Sequence, residues 1–77
     1  MQTKITFLPD DRARISIEGL HGTNPAACIA WRDFATRGEA EAAFSRVHEA
    51  VKSSDWLYSA TFSRADRARI AREILFA

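Results

Sequence analysis

Hydrophobic and polar residues alternate twice near the start of the chain. Thr3, Ile5 and Phe7 interleave with Lys4 and Thr6; Ala13, Ile15 and Ile17 interleave with Arg14, Ser16 and Glu18. A period of two marks a strand with one buried face. Between the two runs, Pro9-Asp10-Asp11-Arg12 carries turn chemistry, because proline presets its φ and aspartates hydrogen-bond nearby backbone. The pattern predicts a β-hairpin whose core-facing set is Ile5, Phe7, Ile15 and Ile17. Residues 19–25 (Gly-Leu-His-Gly-Thr-Asn-Pro) read as a loop. A third strand is predicted over 27–34, with Ile29 and Trp31 on the core face and Cys28, Ala30 and Arg32 facing outward.

The period then changes. Thr36-Arg37-Gly38-Glu39 has the spacing of a capping box, in which a hydroxyl accepts from the amide three residues on and the glutamate reaches back. From there to about Lys52, Ala40, Ala43, Phe44, Val47, Ala50 and Val51 fall within an arc of about 120°, the apolar stripe of a surface helix. After Ser53-Ser54-Asp55 the alternation returns: Trp56, Tyr58, Ala60 and Phe62 interleave with Leu57, Ser59 and Thr61, which predicts a fourth strand. Ser63-Arg64-Ala65-Asp66 is a second box-like start, opening a helix to about Leu75 with Ala68, Ile70, Ala71, Ile74 and Leu75 as its apolar residues. The expected architecture is α+β, one domain over residues 1–77. It has a mostly antiparallel four-stranded sheet with two helices on one face, in the order β-β-β-α-β-α.

Size and composition narrow what such a fold can do. A chain of 77 residues buries only roughly 60–65% of its unfolded surface, which leaves little stability for a strained active site. It is 47% hydrophobic and 27% charged with a net charge of +1, which writes neither a nucleic-acid binder nor an acidic mimic into the overall balance. The single cysteine, Cys28, excludes an intrachain disulfide and suits a reducing compartment. The first residues lack an apolar signal-peptide core. The longest apolar run, Ala26–Trp31, is far short of the ~20 residues of a membrane span. The expected setting is the cytoplasm, as monomer or homodimer.

No constellation carries chemistry. His21 sits in the loop and His48 borders the helical stripe. Neither has a partner at metal-ligand spacing, so no metal and no cofactor is expected. Cys28 lacks a base, Asp10-Asp11 belong to a turn, and the glycine loop lacks a lysine. The chain is therefore expected not to be an enzyme. Arg64, Arg67, Arg69 and Arg72 make the one local basic cluster, a nucleic-acid candidate through Arg64, Arg69 and Arg72. These residues scatter around the helix, with Asp66 and Glu73 placed to pair with Arg69, so nucleic acid ranks below a protein partner. Two helices cover one face of a small sheet, not both. The outward face, with Lys4, Arg14, Glu18 and Arg32, is the expected protein-binding surface.

Ala30-Trp31-Arg32-Asp33-Phe34, followed by Thr36 as a cap, Glu41, and Phe44 ten residues after Phe34, resembles a stretch of a subtype I-F anti-CRISPR protein family. These are phage-encoded inhibitors of similar size that end a strand in Arg-Asp-Phe, cap a helix two residues later and place an aromatic at the same spacing. The resemblance spans residues 30–44 and implies a small non-enzymatic inhibitor that binds a subunit of the CRISPR surveillance complex and blocks target DNA recognition. The family uses tyrosines on its exposed sheet face. Here those strands carry Lys4, Thr6, Arg14, Ser16 and Glu18 instead, so no functional residue carries over.

Overall fold

The computed structural model describes residues 2–18, 28–53 and 63–77. Strands β1 (Gln2–Phe7), β2 (Ala13–Glu18) and β3 (Cys28–Phe34) are followed by helices α1 (Arg37–Lys52) and α2 (Arg64–Phe76). Among the described residues the sheet is three-stranded and antiparallel, in the order β1-β2-β3. The fold class is α+β. The predicted fourth strand over 56–62 and the loop over 19–25, including His21, lie outside the described residues.

The predicted hairpin forms, with Ile5 opposite Ile15 and Phe7 opposite Ala13; Phe7, expected in the core-facing set, ends its strand 52% exposed with the Arg37 guanidinium 4.8 Å from its ring centre. The turn centres on Asp10 and Asp11, both at φ 63°, and closes with the Arg12 amide donating to the Pro9 carbonyl at 3.4 Å. Positive φ at both central residues is the turn geometry that follows the twist of paired strands. Aspartate tolerates it better than most side chains. Proline therefore stands before the bend rather than at its first central position.

The inner face of the sheet packs under both helices. Ala13, Ile15 and Ile17 of β2, Ala30 and Phe34 of β3, Ala40, Val47 and Val51 of α1, and Ala71 and Leu75 of α2 form one buried cluster. The middle strand contributes its whole inner row because it is flanked on both sides and covered from above. Both helix starts follow from their caps. Thr36 Oγ1 accepts from the Glu39 amide at 3.2 Å. At Ser63 the box is reciprocal: Asp66 N–H donates to Ser63 Oγ at 3.1 Å and the Ser63 amide to Asp66 Oδ2 at 3.4 Å.

One expectation is corrected in β3. Between Ile17 and Glu18 the ladder shifts: Ile17 pairs with Ala30 but Glu18 pairs with Cys28, so Ile29 is an extra residue. A bulge of one residue reverses the alternation beyond it. Cys28 faces outward as expected. Past the bulge Ala30, Arg32 and Phe34 point to the helices, while Trp31, 54% exposed, and Asp33 point away. Trp31 and Ala30 have thus exchanged the faces that simple alternation assigns them, and Arg32 has left the outer face.

Candidate functional site

The outer face of the sheet is built from the residues of β1 and β2 that alternate with the core set, joined by the outward residues of β3. No described helix covers it. Lys4 and Trp31 flank Ser16 on either side of the middle strand, and Arg14 stands opposite Asp33. Ser16 is only 6% exposed although it belongs to this face, because its neighbours on both strands are large. A shallow depression of about 330 Å³ opens here, lined by Thr6, Arg14, Ser16, Glu18, Cys28 and Trp31.

Arg14 is held on two sides. Its Nε donates to Asp33 Oδ1 at 2.6 Å and its Nη2 to Asp33 Oδ2 at 3.1 Å, a bidentate fork. Its guanidinium carbon lies 5.7 Å from the centre of the Trp31 ring, within reach of the ring's negative face. The fork lowers the Asp33 pKa, chiefly through the hydrogen bonds from Arg14 and further through the charges of Arg14 and Arg12. It raises that of Arg14. The Cys28 thiol is pushed up by burial first and by the Glu18 carboxylate second, and it donates to the Ala30 carbonyl at 3.5 Å. A thiol held neutral in this way is a poor nucleophile.

Of the expected partner-binding residues, the structure brings Lys4, Arg14 and Glu18 to this face. Arg32 is elsewhere. Its guanidinium lies between the rings of Phe34 (4.5 Å) and Phe76 (4.9 Å), and Nη1 donates to the Leu75 carbonyl at 2.8 Å. It closes the C-terminal end of α2 together with Arg46, which donates to the Ile74 carbonyl at 2.9 Å. The last turn of α2 has no basic residue of its own, so charges from β3 and α1 meet its exposed carbonyls. Reading by alternation missed Trp31 and Asp33. A signal was present: Phe34 must face the helix that begins three residues later, and counting back by two from it puts Arg32 and Ala30 inside.

The basic helix offers less than its sequence suggests. Arg69 lies between Asp66 at 3.8 Å and Glu73 at 3.6 Å, Arg72 is exposed, and Arg64 is the first residue of α2. His48 is exposed, its ring stacked on Phe44 with centroids 5.8 Å apart. Among the described residues no group of three His, Cys, Asp or Glu side chains is placed to hold a metal, and no helix is long and apolar enough to cross a membrane.

No protein family, curated protein or solved structure matches this chain.

Proposed function

We propose that the protein is a non-enzymatic binding module that docks a protein partner on the outer face of its sheet, around Trp31 and Arg14. One observation carries the reading: a tryptophan is 54% exposed beside an arginine locked into a bidentate pair. Tryptophan and arginine dominate the energetics of protein interfaces because they bury large, preorganised surfaces. Immobilising Arg14 in advance lowers the entropy lost on docking. The polar surroundings (Thr6, Ser16, Lys4 and Glu18) suit a partner that comes and goes better than a permanent apolar interface.

The resemblance over residues 30–44 supports reading this module as a phage-type inhibitor that acts in the host cytoplasm on a subunit of a CRISPR surveillance complex. Expression of the chain in cells whose type I CRISPR system targets a phage should then restore plaque formation. The purified chain should capture the complex after nuclease treatment. Trp31→Ala should weaken capture by on the order of thirtyfold or more, the loss typical of an interface hot spot, with an unchanged circular dichroism spectrum. Capture that disappears with nuclease would transfer the role to nucleic acid, and a Trp31→Ala variant that binds normally would reject this face.

A further inference from the structure

The charges around the depression on the outer face do not cancel. Arg14 is neutralised by both oxygens of Asp33. Glu18 is met only by the Gln2 side-chain amide, whose Nε2 donates to Oε2 at 3.4 Å, and it has no ion-pair partner among the described residues. Lys4 shares the face but does not line the depression. The lining is therefore one carboxylate, an indole ring, two hydroxyls, a neutral thiol and an arginine already paired. Its volume of about 330 Å³ is at the small end of ligand pockets, the size for one long side chain rather than a cofactor.

We propose that this depression receives a lysine or arginine side chain of the partner protein, its methylenes against Trp31 and its cationic head on the Glu18 carboxylate. The inference rests on the protein-binding reading and names what the partner presents. Chemistry separates this occupant from the others. An incoming carboxylate would have to displace Asp33 from Arg14 and would meet Glu18 at close range. An apolar side chain would bury Glu18 without a counter-charge, which is costly. A basic side chain satisfies the carboxylate and uses the aromatic wall at once, since a long cationic side chain has an apolar stem and a charged tip.

The test uses the full ¹⁵N-labelled chain, titrated with the N-acetyl methylamides of lysine, arginine, norleucine and glutamate. The lysine and arginine probes should shift the Trp31 indole and the Thr6 and Glu18 amides with saturating, millimolar curves. Glu18→Gln, which keeps the shape of the site, should weaken that binding by on the order of tenfold, the share of a charge-assisted hydrogen bond. Equal binding of norleucine, or binding of glutamate in preference, would overturn the proposal, as would no response to either basic probe. Partner capture separates the two levels. If Trp31→Ala loses the partner and Glu18→Gln does not, the occupant is wrong and the binding face stands. If neither substitution matters, the face falls with its occupant.

Discussion

The two faces of the sheet hold an arginine each, and the pair shows how one residue type serves two ends. Arg14 and Arg32 sit on neighbouring strands, each near an aromatic ring and each donating to oxygen. Arg32 points inward, bridges Phe34 and Phe76, and closes the end of a helix. Arg14 points outward and holds an aspartate beside an exposed tryptophan. The inner arginine has a backbone carbonyl that would otherwise stand partly dry, so its absence would be felt by the fold. The outer one has an acceptor that water could serve, so its absence would be felt by a partner.

The inner face itself sets the upper limit of that contrast. Ile15 is fully buried at the centre of the middle strand, in the core cluster to which both helices contribute. Ile15→Ala should destabilise the chain by about 2–5 kcal/mol, a large share of the stability of so small a domain. Urea denaturation would measure it, and a loss below about 1 kcal/mol would mean that the helices collapse onto the gap. Between the two arginines the split is narrower. Arg32→Ala should cost about 1–3 kcal/mol through the Leu75 carbonyl and the lost stacking surface. Arg14→Ala should leave the urea midpoint nearly unchanged, because an exposed pair adds little to stability, yet impair partner capture. Equal losses from both would erase the distinction between the faces.

How much of this contrast was legible in the sequence depends on where the alternation runs unbroken. In the hairpin, Ile5, Ile15 and Ile17 against Lys4, Arg14 and Glu18 sorted correctly, because the connector of residues 8–12 is short and each strand keeps its period of two through an unbroken ladder; Phe7 did not, because it ends its strand and is 52% exposed. The two helix starts were equally plain, since Thr36 and Ser63 cap through local hydrogen bonds that need no tertiary information. β3 was the exception. Its period of two was visible but its phase was not, because the bulge at Ile29 depends on how β3 meets β2, a pairing that a single strand does not encode. One residue of slip hid Trp31, the centre of the candidate site, and put Arg32 on the wrong side.

The inner face also contains a polar group out of place. The Thr3 hydroxyl is buried and lacks a hydrogen-bond partner. Its strand position, opposite Ile17, turns it toward the helices. Thr3→Val keeps the shape and removes the desolvated oxygen, so it should stabilise the chain by about 1 kcal/mol, read as a rise in urea midpoint at constant slope. On the outer face the matching change, Thr6→Val, should leave stability nearly unchanged because Thr6 is exposed. A stabilisation of the same size at both positions would mean that β-propensity, not burial, decides the outcome.

The smallest effect belongs to the outer fork and is a matter of pH. The Asp33 pKa in the fold is lower than its ordinary value, about 3.9 in an unfolded chain, first because Arg14 donates to it. A carboxylate whose pKa is lower in the fold binds fewer protons there. Its contribution is complete above the ordinary value and is lost as the pH falls through the lower, folded one. Stability measured from pH 5 downward should therefore decline more steeply for the natural chain than for Asp33→Asn, the gap closing below about pH 4. Asp66, whose pKa is lowered chiefly by hydrogen bonding from Ser63, titrates in the same direction and persists in both chains, so only the difference between the curves reports on the fork. Parallel curves would show that Arg14 is not held by Asp33 in solution. The preorganised arginine on which the binding face depends would then be lost, while the inner face kept its stability.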